Sequence, residues 1–487
     1  MHTAIYGLSA LRSLETRARQ SGTDLMAQAG QATADWVAAH TLPGARILLA
    51  AGPGNNGGDA LIAARLLKNA GFAVDVLLPV ESRAQDAIAA LQAWRATGAG
   101  TLKTLPVPYS RPDLVVDGLF GIGIDRPFSP AWSELIEQLN TLGAPILALD
   151  TPTGLDPYLG QAQNTAIRAH STLTFLSQKP GLHTGAGADL AGTVFLAPLT
   201  HPGWAGETPE GAINHPDASG LQRRRNSHKG SYGTVAIVGG ASGMLGAALL
   251  AGRASLSAGA GKVLVCTLDA RIAVDPLAPE LMIRGAEGLP VCDVLAIGPG
   301  LGTEEVGLRL LSEALDLPVP LVIDADGLNW LAREPHLFER LAQRTSPVIL
   351  TPHPAEAARL LGADTQTIQT NRVHAARTLA ARSNSIVILK GAGSLIACPD
   401  GYYHVNTSGG PALASAGQGD VLTGLVAALL GQGLEPFEAA SLAVFAHGQA
   451  GDEYVSAESG PIGLTASATA HRFGPVLNRL MSPPLAG

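Results

Sequence analysis

The chain has 487 residues, 46% of them hydrophobic and 15% charged, with 58 glycines and a formal net charge of −8. This length predicts at least two domains with separate cores, and the glycine-rich, aromatic-poor composition suits an α/β enzyme rather than a disordered or fibrous chain. The acidic balance excludes sequence-independent nucleic-acid binding, no apolar run of about 18 residues is present to span a membrane, and Cys266, Cys292 and Cys398 form no C-x-x-C pair for zinc or a disulfide frame.

The first 40 or so residues read as helical and lack the charged-then-apolar order of a signal peptide, so a cytoplasmic enzyme is expected. Apolar β-rich runs follow at "RILLAA", "AVDVLLPV", "DLVVDGLFG", "PILALD", "LTFLS" and "TVFLAP", with amphipathic stretches such as 59–70 and 84–95 between them. Continuous apolar strands separated by helices predict a parallel sheet covered on both faces. Between residues 199 and 230 prolines, glycines and the basic triplet Arg223, Arg224, Arg225 replace periodicity, which places a domain boundary there. The pattern restarts with "TVAIVGG", "KVLVCT", "VLAIGPGLG", "LVIDADGLNWLA", "PVILTPHPAEAARLL" and "IVILKGAGSLIAC", then closes on helical segments. The expected architecture is two three-layer αβα domains with different loops and no internal duplication.

In such sheets ligands sit beyond the carboxyl ends of the strands, near the switch point. Gly52, Gly54 and Gly57 spell G-x-G-x-x-G after the first long strand, the pattern of a dinucleotide loop whose helix N-terminus receives phosphate. Glu81, near the end of the next strand, is placed to bind a ribose. A hydride-transfer site, however, needs no converging oxygen ligands. Asn56, Asp117 and the Thr153 hydroxyl supply an amide, a carboxylate and a hydroxyl at three strand ends, a donor set suited to a hard cation. Asp150, ending "PILALD", reads either as a turn residue or as an acid–base group.

In the second half, Gly417 and Gly419 open a loop and Asp420 stands at the start of a strongly apolar helix. Loop amides and a helix N-terminus make an anion hole for a phosphoryl group in transfer, and a carboxylate beside it can take the proton of an attacking hydroxyl. "KGAGS" offers amides and a lysine to a nucleotide phosphate, and His353 and Glu356 follow another strand end.

"GPGNNGGDAL", "VVDGLFGIGIDRP" and "LDTPTGLD" resemble the epimerase domain of the bifunctional NAD(P)H-hydrate repair enzymes. "HKGSYG", "GASGMLGAALLAGRA", "GPGLG", "DADGLN", "TPHPAE", "KGAGS" and "AGQGDVLTG" resemble, in this order, their ADP-dependent dehydratase domain, a relative of the ribokinase-like kinases. The resemblance implies a Rossmann-like N-terminal domain, residues 1–205, that epimerises the R and S hydrates NADHX and NADPHX. It implies a ribokinase-like C-terminal domain, residues 217–487, that dehydrates the S form with ADP and magnesium. Asn55, Asn56, Gly57, Gly58 and Asp59, then Gly121, Ile122, Gly123, Ile124, Asp125, Arg126 and Pro127, with Asp150, would bind the hydrate for epimerisation, Asp150 being the acid–base residue. Asn56, Asp117 and Thr153 would hold a potassium ion, with Thr153 standing where the family usually has serine. Ala247, Gly302, His353 and Asp420 would contact the hydrate for dehydration, Asp420 being catalytic. Lys390, Gly391, Ala392, Gly393, Ser394 and Gly419 would contact AMP or ADP. The partners implied are these small molecules alone, with no nucleic acid and no membrane, in a homo-oligomer for which the family suggests a tetramer. The competing expectation is an ATP-dependent small-molecule kinase with a nucleotide-sensing N-terminal domain.

Overall fold

The computed structural model describes residues 3–82, 84–123, 127–269 and 271–481. The chain forms two compact units, residues 1–213 and 214–487, each an α/β assembly built on a largely parallel sheet, the expected class.

In the first unit six strands lie in the order Ala73–Leu77, Arg46–Ala51, Leu114–Gly118, Ile146–Leu149, Ser171–Phe175, Thr193–Ala197, and every neighbouring pair is parallel. Arg46–Ala51 and Leu114–Gly118 are almost wholly buried, as strands covered on both faces must be. Crossovers run from Arg46–Ala51 to one side and from Leu114–Gly118 to the other, so the switch point lies between these two. Their carboxyl ends carry the Gly52–Asn56 and Leu119–Gly121 turns.

The helix after the first strand spans Asn55–Asn69, with Gly54 extended at its N-cap. It therefore begins four residues before the apolar periodicity predicts, because Asn55, Asn56, Gly57 and Gly58 carry no apolar side chain to signal a turn of helix. Gly57 is required there: a Cβ would lie 2.0 Å from the Gly52 carbonyl oxygen, so the strand exit and the helix start pack backbone to backbone.

In the second unit nine strands run in the order Tyr403–Val405, Leu395–Ala397, Ile386–Leu389, Val348–Leu350, Leu321–Ile323, Val294–Ile297, Thr234–Gly239, Lys262–Thr267, Met282–Gly285. The first three pair antiparallel and the remainder parallel. Helix Gln418–Gly431 is apolar nearly all round because it is buried, and helix Leu245–Ser257 packs against it. Their approach needs Gly424, whose Cβ would meet the Ala251 carbonyl oxygen at 2.0 Å. The switch point here lies between Thr234–Gly239 and Val294–Ile297.

Candidate functional site

Each unit gathers its polar motifs at the carboxyl end of its own sheet. In the first, a cavity of about 1050 Å³ is lined by Asn55, Asn56, Asp59, Gly121, Ile122, Gly123 and Asp150, together with helical faces carrying Arg12, Glu15, Ile62 and Ala90. Glu81 is not on this wall. It is half exposed and ion-paired with Arg95 at 2.6 Å, so the ribose role expected of it has no support. Ile124, Asp125 and Arg126 lie outside the described residues.

Asp117 is fully buried under the cavity. Its Oδ1 accepts the Thr153 hydroxyl at 2.8 Å and its Oδ2 accepts the Thr153 amide at 2.8 Å. Burial pushes Asp117 up to about 6 even against these hydrogen bonds. The Thr153 hydroxyl also accepts the Phe120 amide at 3.0 Å. Asn56 donates through Nδ2 to the Leu149 carbonyl at 3.1 Å, whereas among the described residues its buried Oδ1 has no hydrogen-bond partner. A buried amide oxygen left unpartnered is costly unless something completes it, and together with the Asp117 carboxylate and the Thr153 hydroxyl it makes a donor set that fits a hard cation. The extra methyl of Thr153 does not displace its hydroxyl from Asp117.

Asp150 follows its strand with φ 63°, a left-handed conformation unusual for a non-glycine residue. Its Oδ1 accepts the ammonium of Lys179 at 2.8 Å, and Lys179 is wholly buried. The same ammonium donates to the Thr174 hydroxyl at 2.7 Å and the Phe175 carbonyl at 3.1 Å. Sequence reading missed Lys179. The usable signal was a lysine two residues after the apolar run "LTFLS", just beyond the end of a strand that lies two positions across the sheet from Leu114–Gly118.

In the second unit Gly417 has φ 85° and opens helix Gln418–Gly431, so Gly419 and Asp420 occupy its first turn. Burial, then the neighbouring Asp324 carboxylate, pushes Asp420 up to about 6. Asp324, buried at the end of its strand, accepts Lys390 Nζ at 2.9 Å and the Thr423 hydroxyl at 2.8 Å. A Cβ on Gly419 would lie 3.2 Å from Lys390 Nζ, which places the ammonium directly under the anion hole. Ala325, next to Asp324, is left-handed at φ 47°, a second strained residue beside a site carboxylate.

His353 caps helix Pro354–Leu361. Its Nδ1 accepts the Ala355 amide at 3.1 Å, leaving Nε2 to meet Glu356 at 3.3 Å, and Glu356 accepts the His353 amide at 2.8 Å. Burial pushes Glu356 up to about 7. Gly302 donates its amide to Asp326 at 2.9 Å, and its carbonyl accepts Trp330 at 3.0 Å. Ala247 lies in the first turn of its helix, where a Cβ on Gly300 would approach Ala247 Cβ to 3.4 Å. The loop 390–394 is held from below by buried Arg372, which donates to the Leu389 and Lys390 carbonyls at 3.3 Å. Asp324 stands within the quoted motif "DADGLN" but was given no role by motif reading, which also passed over Arg372, far from the nucleotide loop in sequence.

Asp324→Asn is expected to destabilise the second unit by up to roughly 3–5 kcal/mol, because the mostly buried Lys390 ammonium would lose the carboxylate it is hydrogen-bonded to. The Asp324→Asn/Lys390→Met double variant should recover most of that loss. Urea unfolding of the three proteins checks both statements.

Comparison with known proteins agrees with this geometry. Residues 235–470 match the family described as NAD(P)H-hydrate dehydratase, and residues 22–181 match the YjeF-related protein N-terminus. The chain is 38% identical over 462 residues to the bifunctional NAD(P)H-hydrate repair enzyme of Escherichia coli, covering 91% of this chain and 87% of that one. It is 36% identical over 493 residues to the enzyme of the same name from Coxiella burnetii, covering 96% and 97%. A solved structure of the ADP/ATP-dependent NAD(P)H-hydrate dehydratase from Bacillus subtilis, crystallised with ATP and Mg²⁺, aligns at 32% identity and a TM-score of 0.47, covering 55% of this chain and 95% of that one. With identity of this extent across both units, the chain belongs to the family of bifunctional NAD(P)H-hydrate repair enzymes.

Proposed function

We propose that the two units act in turn on nicotinamide coenzymes spoiled by hydration. The first interconverts the R and S forms of NADHX and NADPHX. The second dehydrates the S form to NADH or NADPH, converting ADP to AMP and phosphate. The glycine loop after Arg46–Ala51 then holds a nicotinamide nucleotide as substrate rather than as a hydride carrier.

In the first cavity the loop 55–59 and the turn beginning at Gly121 embrace the hydrate, and Asp150 exchanges protons at the hydrated ring carbon. Asn56, Asp117 and Thr153 are the residues that would hold a potassium ion. When bound it would offset the Asp117 charge and fix the turn over the cavity.

In the second site Ala247, Gly302 and His353 position the ring, while the loop 390–394 and Gly419 receive the nucleotide. Asp420 takes the proton of the ring hydroxyl as its oxygen attacks the terminal phosphoryl group of ADP, and AMP leaves. The helix N-terminus and the Lys390 ammonium stabilise charge on the group in transfer. Phosphate is a far better leaving group than hydroxide. The ring nitrogen's lone pair expels it, and loss of a proton from the adjacent carbon restores the reduced nicotinamide. Among the described residues no group of three His, Cys, Asp or Glu could hold a metal. Magnesium would therefore enter with the nucleotide, on phosphate oxygens and water. The observation that carries this reading is the Asp420 carboxyl beside a lysine that Asp324 clamps under the anion hole.

A mixed R/S hydrate preparation with ADP and magnesium tests it. The protein should consume the whole mixture and release reduced nicotinamide with one free phosphate each. Accumulation of a stable phosphoester from a vitamin precursor or sugar with ATP would instead establish the small-molecule kinase. Separate titrations of ADP and ATP identify the donor. Among the described residues no helix is long and apolar enough to cross a membrane, and a cytoplasmic homo-oligomer acting on small molecules completes the proposal.

A further inference from the structure

The epimerase cavity holds a second carboxyl whose surroundings are the reverse of those of Asp150. Asp59 lies in the second turn of helix Asn55–Asn69, is 9% exposed and lines the same cavity. Among the described residues its carboxyl has no hydrogen-bond or ion-pair partner, whereas Asp150 has the buried Lys179 ammonium at 2.8 Å and the Phe175 amide at 3.3 Å. A carboxylate buried in a cavity wall without a partner is disfavoured, which favours the protonated form of Asp59, whereas Asp150 has the Lys179 ammonium against it. Two carboxyl groups in one cavity with opposite environments are the ordinary signature of an acid and a base.

We propose, building on the epimerase reading, that Asp59 is the general acid that protonates the departing hydroxyl and Asp150 the general base that deprotonates the returning water. The Asp59 proton passes to the hydroxyl oxygen as the ring carbon–oxygen bond breaks. The lone pair of the ring nitrogen forms the C=N bond, and water departs. The resulting cation lies in a cavity with two carboxylates. Water then bonds to the same carbon from the other face, the π pair returns to nitrogen, and Asp150 takes the proton. Water relays that proton back to Asp59, so no proton is gained or lost overall. Asp150 is oriented for this. Lys179 holds Oδ1, and the Asp150 carboxyl lines the cavity.

The groups around Asp59 support its neutral form. Burial, then the carboxylates of Asp150, Glu15 and Asp24, hold Asp59 well above the ordinary carboxylate range. Glu15 comes from helix Leu8–Gln20, which also brings Arg12 and Arg19 to the cavity wall. Asp24 caps helix Leu25–His40 through the Ala27 amide, Arg65 lies further along the helix of Asp59, and Asp86 lies on helix Gln85–Arg95.

The test uses the full-length protein and purified S hydrate without ADP, so that the second unit is idle. Conversion to the R form is followed by chromatography, and ¹⁸O uptake from labelled water by mass spectrometry. Wild type should form the R isomer with ¹⁸O at the ring carbon and slow down as rising pH ionises Asp59. Asp59→Asn should lose about 10²–10⁴-fold in both rates and lose that high-pH limb, with the loss falling on kcat rather than on KM. Its melting temperature should not fall, since the amide replaces a carboxyl that had no partner, and Asp59→Glu should restore part of the rate. Turnover of Asp59→Asn within about threefold of wild type, or a rise in KM with kcat unchanged, would show a binding contact only and overturn the assignment. A lower melting temperature would overturn its premise, that the carboxyl is unpartnered. Wild type that leaves the S hydrate unepimerised sinks the epimerase reading itself, a different result from a variant that behaves as wild type.

Discussion

Asp420→Asn is expected to abolish ADP-dependent release of reduced nicotinamide, by about 10²–10⁴-fold in kcat, while R/S interconversion continues at the wild-type rate. The amide keeps the size of the side chain and its place in the first turn of helix Gln418–Gly431, so the anion hole and Lys390 stay as they are. What is lost is the ability to accept the hydroxyl proton. The pH dependence supplies an independent check. Burial and Asp324 push Asp420 up to about 6, so the active, ionised form dominates above that pH. Wild-type dehydration should be flat above pH about 6 and fall about tenfold per unit below it, and the residual rate of Asp420→Asn should lack this limb. Stopped assays of absorbance and phosphate across the range measure both. A variant that still dehydrates at the wild-type rate would remove Asp420 from the proton-transfer role.

Asp150→Asn is the second large expectation. With the R/S mixture and ADP, the S fraction should vanish quickly and the R fraction should follow only at the spontaneous epimerisation rate, again a loss of about 10²–10⁴-fold in the catalysed step. The substitution also leaves Lys179 fully buried with only neutral acceptors, the Thr174 hydroxyl and two backbone carbonyls. Breaking such a pair costs roughly 3–5 kcal/mol, so a loss of activity could be confused with a loss of structure. Asp150→Asn/Lys179→Met removes both charges and should regain most of the stability without regaining epimerisation. Recovery of activity in the double variant would mean that Asp150 acts only through the fold.

The two sites were legible to different degrees. Asn56, Asp117 and Thr153 could be grouped from sequence because each closes or follows an apolar strand, and parallel α/β sheets gather such ends on one side. The structure joins Asp117 to Thr153 by two hydrogen bonds of 2.8 Å. Asp420 was legible for a similar reason, standing between glycines and an apolar helix. The start of helix Asn55–Asn69 was not, since its first turn has no apolar residue to mark the period. Glu81 looked like a ribose ligand by position along the chain, but its short distance to Arg95 draws it to the surface instead.

Read alone, the chain determined the class of its sheets, the strand ends that bear chemistry and the glycines that let a ligand approach, because periodicity and turn preference are local properties. Only the tertiary structure decided which charges meet: Lys179 with Asp150, Lys390 with Asp324, and Asp59 with no partner among the described residues. Such pairings join residues tens of positions apart through the order of strands, so no local pattern could report them.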